Sequence, residues 1–126
     1  MKYNFNRQEE KGVVSDAWIS QCGLYRYWLG RQWDSRSDAC SCVFLMLNPS
    51  TADAYKDDPT IRRCIGFAKS WDCGSMDVLN LFSLRATNPS GLRLNEDPIG
   101  PYGDEVLQGI STYDLIVAAW GGAAAI

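Results

Sequence analysis

Residues 43–47, Val-Phe-Leu-Met-Leu, form an apolar run that stops abruptly at the polar turn Asn48-Pro49-Ser50-Thr51. Such a run predicts a central strand over residues 41–47 that delivers polar side chains to the rim of a sheet. Before it, residues 24–33 alternate, with Leu24, Arg26 and Trp28 set against Tyr25, Tyr27 and Leu29, which predicts a strand with one wet face. Residues 1 to about 15 are polar and are expected to be loose. Residues 16–20 fit strand and helix equally well, and residues 34–38 have turn composition.

After the central strand, residues 48–58 form a loop of about eleven residues, long for a connection in an α/β unit and so a candidate for function. Asp58-Pro59 then opens a helix, with Asp58 as N-cap and Pro59 at the first helical position. Its apolar stripe is Ile61, Cys64, Ile65, Ala68 and Trp71, and Gly74 is expected to end it. Residues 76–81 read as a second buried strand, 83–101 as a polar loop, 102–111 as a helix with Val106, Leu107 and Ile110 inward, and 115–120 as a third buried strand. The order β-β-α-β-α-β predicts a single α/β domain over residues 1–126, a three-layer sandwich with a small, mostly parallel sheet and right-handed crossovers. Ligands of such sheets bind beyond the carboxyl ends of the strands, here those starting at Ser41 and Met76.

Composition narrows the chemistry. The chain of 126 residues is long enough for a core without covalent staples. A net charge of -3 excludes a global basic field for nucleic acid and leaves room only for a local strip. The sequence contains no histidine, which excludes Ser-His-Asp and Cys-His catalysis and His-ligated zinc in this chain. Its five cysteines, at 22, 40, 42, 64 and 73, include no Cys-x-x-Cys pair and read as reduced thiols that partly fill the core. No signal peptide or bilayer-spanning run is visible, so the cytoplasm is the expected location and no membrane partner is expected. No Walker loop or Gly-x-Gly-x-x-Gly motif occurs, and no cofactor or metal is called for.

Three strand ends would share one crevice. Asn48, Ser50, Thr51 and Asp53 come from the first, Asn80, Phe82, Ser83 and Arg85 from the second, and Trp120 and Gly121 from the third. An asparagine amide donates and accepts together, which suits a nucleobase edge, although Asn48 and Asn80 also fit a loop-capping role. Asp53 is the better carboxylate for orienting a water, since Asp58 reads more naturally as a helix cap. Arg62 and Arg63, with Lys69, Arg85 and Arg93, offer either a phosphate-binding strip or a solvated face. Trp18, Tyr25, Tyr27, Trp28 and Trp33 read as sheet packing, whereas Phe82 follows Asn80 at a rim and could stack on a planar ring.

Several stretches resemble a bacterial and phage family, domain of unknown function 1643. They are Tyr25-Arg26-Tyr27-x-Leu29-x-Arg31-x-Trp33, MLNPSTADA (46–54), DDPTIRRCIGFA (57–68), VLNLFSLRATNP (78–89), DPIGP (97–101) and AAWG (118–121). Strands ending in Asn-Pro, Leu-Asn and Trp-Gly are also similar to the uracil-DNA glycosylase superfamily. That likeness implies that Asn48 holds a water or the base, that Asn80 reads the base and that Phe82 or Tyr55 stacks on it. The resemblance implies a further His-Pro segment; with no histidine in the sequence, its acid or electrophilic help is not expected here. The expected function is recognition of a nucleobase or nucleotide, with action on N-glycosidic bonds in its catalytic form. The alternative is a small acidic phage-type protein that blocks a host nucleic-acid-binding defence factor by charge mimicry, or pairs through an exposed sheet edge with a partner or a second copy.

Overall fold

The structure, a computed structural model, describes residues 4–49, 51–85 and 97–119. In chain order come β1 (Asn4–Glu10), β2 (Val13–Ile19), β3 (Arg26–Gln32), β4 (Cys40–Met46), α1 (Pro59–Ser70), β5 (Cys73–Asn80), α2 (Gly103–Leu107), a 3-10 turn at Ile110–Thr112 and β6 (Leu115–Ala118). The strands form one mixed sheet in the order β1-β2-β3-β5-β4-β6.

The α/β class holds, but the mostly parallel sheet does not. Contacts β1–β2, β2–β3 and β3–β5 are antiparallel, and only β5–β4 and β4–β6 are parallel. Strands alternate with helices only from β4 onward; the three earlier strands form a meander whose short turns force antiparallel pairing. Of the amino-terminal residues expected to be loose, 4–10 and 13–15 are in strands, and 1–3 lie outside the described residues. Glu10 pairs with Val13 across a two-residue turn, and Lys11 and Gly12 both have positive φ, 53° and 78°. That is the type I′ geometry whose twist matches a hairpin. The ambiguous residues 16–20 belong largely to β2 of this hairpin.

One face of β4 and β5 packs against α1. Cys42, Phe44, Met76 and Val78 meet Ile61, Cys64 and Ala68 in the main core, which Leu29 of β3 joins. Asp58 caps α1 as expected, accepting from the Ile61 N–H at 2.8 Å, with Pro59 in the first turn. Gly74 does not end the helix. The chain turns at Asp72, whose φ is 60°, and Gly74 is already in β5. A Cβ there would lie 2.7 Å from Ala39 Cβ and 2.8 Å from the Asp34 carbonyl, so glycine is needed for close backbone approach. Gly74→Ala is expected to destabilise the protein by about 1–3 kcal/mol in urea unfolding, as overpacking does.

Three further expectations change. Trp71 is not in the buried stripe; it is 43% exposed and stacks on Phe44 and Phe67. The helix expected over 102–111 is a short α2 followed by the 3-10 turn, and Val106, Leu107 and Ile110 are only half-buried. Tyr102, just before α2, docks on Trp18 and Tyr27 with ring centroids 5.5 and 5.7 Å away. The third strand is not buried: β6 is an edge of the sheet, with Leu115 36% and Ile116 48% exposed. An apolar run reads the same at an edge as at the centre, which is why sequence placed it inside.

Candidate functional site

The site is framed by a defect in strand pairing. Trp18 faces Trp28, but Ile19 faces Arg26, so Tyr27 is the extra residue of a bulge. A bulge reverses the alternation of side chains beyond it. Arg26 and Arg31, five residues apart, therefore project to the same face, the one that α1 covers, and both are buried. This corrects the expectation that Arg26 lies on a wet face.

The two guanidinium groups hold the long loop after β4. Arg26 donates from Nη1 to the Ala52 carbonyl at 3.0 Å. Arg31 donates from Nη1 to the Gly30 carbonyl at 2.9 Å, from Nη2 to the Asp53 carbonyl, and from Nε to Asp57 Oδ1 at 3.0 Å. The Arg31–Asp57 pair is also bridged through Nη2 at 2.9 Å. Between these anchors Ala52 joins the main core, and Ala54 packs on Ala17 and Ile19. The loop thus covers the β2–β3 part of the same face. Burial pulls Arg26 down to about 10, while Asp58 and Asp53 favour its charge and Arg85 and Arg31 oppose it; it remains a cation at neutral pH.

At the carboxyl end of β5, Asn80 follows Met76 and Val78 on this face and is 4% exposed. Neither its Nδ2 nor its Oδ1 has a hydrogen-bond partner among the described residues, and the same is true of Arg26 Nε. These are two donors and an acceptor, all buried, from adjacent regions of β3 and β5. Buried polar groups are almost always satisfied, so each of the three calls for a partner.

The other expected residues fall into separate environments. Asn48 is half-buried and donates from Nδ2 to the Pro49 carbonyl at 3.1 Å. Asp53 Oδ1 accepts the Tyr55 N–H at 2.8 Å, and its own N–H reaches the Lys56 carbonyl, which closes a local turn. Thr51 is exposed, and its carbonyl receives Arg85 Nη2 at 3.4 Å. Arg85 also reaches the Gly23 carbonyl. Phe82 packs on Leu47 and Leu84, and Ser83 is buried beside Gly103. Tyr55 is 60% exposed. Ser50, Arg93, Trp120 and Gly121 lie outside the described residues.

The basic residues do not form one strip. Arg62 turns to the Asp57 carbonyl at 3.4 Å, and Lys69 Nζ lies 5.3 Å from the Trp33 ring centre. Arg63 lines a separate apolar groove of about 390 Å³ with Phe44, Phe67, Trp71 and Val117. Arg26 and Arg31 stand in the stretch that resembles the family, but sequence reasoning gave neither a role in the site. Besides that stretch, the signal pointing to them is the acidic content of the loop, Asp53, Asp57 and Asp58.

On the opposite face, Asp77 accepts a short hydrogen bond from the Tyr113 hydroxyl. Burial pushes the Asp77 carboxyl above the usual range; hydrogen bonds from Tyr113 and Trp28 pull it part of the way back, and Asp16 adds a smaller upward push. The folded state therefore favours the protonated acid. Its contribution is fully present below the unfolded carboxyl range of about 3.9 and is lost as pH rises through the folded value. Asp77→Asn is expected to be more stable than the parent at neutral pH, with the advantage vanishing in acid; melting curves from pH 3 to 8 check this.

Chemically, the strand-end set offers two hydrogen-bond donors, one of them a guanidinium nitrogen, and one acceptor. Of the nearby carboxylates, Asp57 pairs with Arg31, Asp58 caps α1, and Asp53 uses Oδ1 in its turn. Among the described residues no group of three His, Cys, Asp or Glu side chains is placed to hold a metal, and no helix is long and apolar enough to cross a membrane.

Comparison with curated proteins finds no match, and no solved structure matches the chain. A family model does match residues 26–126, from the first buried arginine of β3 onward, and by that match the chain belongs to the family described as "Protein of unknown function (DUF1643)".

Proposed function

We propose that this protein recognises a nucleobase or nucleotide at the carboxyl ends of β4 and β5. The observation that carries the reading is the buried Asn80 amide with no partner on either atom. Leaving such a group unpaired costs about 1–3 kcal/mol, which a ligand edge would recover. A primary amide complements a lactam edge, N–H beside C=O, as in uracil, guanine or hypoxanthine. Arg26 Nε supplies a further donor on the same face. The fold reading that accompanies this is a three-layer sandwich of the uracil-DNA glycosylase kind, and in its catalytic form Asn48 or Asp53 orients a water towards the sugar carbon while Asn80 holds the base. Phe82 and Thr51 are the neighbouring residues proposed to contact the ligand, and Arg85 is the proposed phosphate contact. A thermal-shift panel of nucleobases, nucleotides and short single- and double-stranded DNA tests the reading.

A second reading is favoured by β6. An edge strand with Leu115 and Ile116 exposed, on a chain of net charge -3, suits pairing with a protein partner or a second copy. Sedimentation of the parent beside Ile116→Lys tests self-pairing: this reading expects a dimer that the charge abolishes, and a monomer at all concentrations removes it.

A further inference from the structure

Two cysteines of neighbouring strands meet at the amino ends of β4 and β5. Cys40 and Cys73 are direct partners in the parallel register, and parallel partners present their side chains on the same face. Their sulfurs are 2.9 Å apart, with Cys73 donating to Cys40. Cys73 is buried against the main core, and its carbonyl accepts the Trp33 Nε1–H at 3.0 Å, which fixes its backbone. Cys40 is half-buried and reachable from solvent. Cys42, two residues along on the same face, is fully buried. Two sulfurs held this close by a sheet need little movement to bond, because adjacent strands place Cα atoms within the range a disulfide spans.

We propose that Cys40 and Cys73 form a redox modification site, a dithiol that a peroxide converts to a disulfide linking β4 to β5. The Cys40 thiolate attacks one peroxide oxygen, the O–O bond breaks, and the departing hydroxide takes a proton to become water. The resulting sulfenic acid is then attacked by the Cys73 sulfur, which gives up its proton as the S–O bond breaks and a second water leaves. In sum, two thiols and one hydrogen peroxide give one disulfide and two waters. The order follows from position: burial first, and then the neighbouring Cys40, push the Cys73 thiol up to about 12, so the more exposed Cys40 reacts first. The exposed Cys22, held below its usual value by its hydrogen bond with Ser20, competes for oxidant but has no sulfur partner among the described residues.

The test treats the full chain with graded hydrogen peroxide, blocks the remaining thiols, and maps peptides by mass spectrometry without reduction. Cys22→Ser is run alongside to remove the competing thiol. The expected product is a Cys40–Cys73 crosslink within one chain, reversed by dithiothreitol, with melting raised by roughly 10 °C as for a loop of this size. Cys40→Ser should give neither crosslink nor rise, while Cys42→Ala should keep both. A crosslink through Cys42 instead, or oxidation that stops at sulfinic acid on Cys40 with Cys73 still free, would overturn the proposal.

Discussion

Arg31→Ala should lower the stability of the protein by about 3 kcal/mol, the low end of the range for breaking a buried ion pair. The Arg31 side chain is 2% exposed, whereas its partner Asp57 keeps 35% exposure and can recover some solvation, which sets the low end. The loss is larger than for a surface pair because one guanidinium satisfies the carbonyls of Gly30 and Asp53 as well as the carboxylate. Removing it releases the Asp53–Asp57 part of the loop from β3 while Arg26 still holds Ala52, and it weakens the Ala54 contact with Ala17 and Ile19. Urea unfolding gives the magnitude. Hydrogen exchange should locate the change in residues 52–57 rather than in β1 or β6. Arg31→Lys should rescue only part of the loss, since an ammonium cannot make the forked contacts. A variant within about 0.5 kcal/mol of the parent, the range of ordinary surface substitutions, would show that the loop does not depend on this arginine.

Asn80→Leu should have the opposite effect on the free protein and a larger one on the bound protein. Leucine has a similar shape and no orphan polar atoms, so the unliganded variant should match the parent or exceed it by about 1 kcal/mol. Ordinary core asparagines behave differently: their replacement leaves former partners unpaired, whereas the Asn80 amide has no hydrogen-bond partner among the described residues. The same substitution should abolish binding of a nucleobase. At a ligand concentration about 100 times Kd, the parent should gain about 2.7 kcal/mol, or roughly 10 °C in melting temperature, and the variant nothing. A residue retained at a cost to stability and needed for binding is what a functional site predicts. A residue needed for folding would instead lose stability on substitution.

The segment from β4 to β5 was legible because each signal there is local. The apolar run of β4, the Asp58-Pro59 helix start and the second apolar run of β5 all survive in the structure. The amino-terminal hairpin was not legible, since an edge hairpin needs little apolar alternation and its Lys11-Gly12 turn lacks the usual Asn-Gly signature. The antiparallel attachment of β3 to β5 is a tertiary choice that no local pattern encodes. At the site, Asn80 could be picked out because an asparagine at the end of an apolar strand stands out. Arg26 could not, because strict alternation places it with Trp28, and only the bulge at Tyr27 turns it inward. Arg62 and Arg63 looked like one strip in sequence, yet adjacent positions on a helix diverge by about 100° and serve different surroundings.

A base-reading role for Asn80 is decided by the thermal-shift panel on the parent and on Asn80→Leu. At least one lactam-bearing base or nucleotide should raise the melting temperature of the parent and leave the folded variant unmoved. No shift with any member of the panel, or an equal shift in both proteins, would contradict a base-reading role for Asn80.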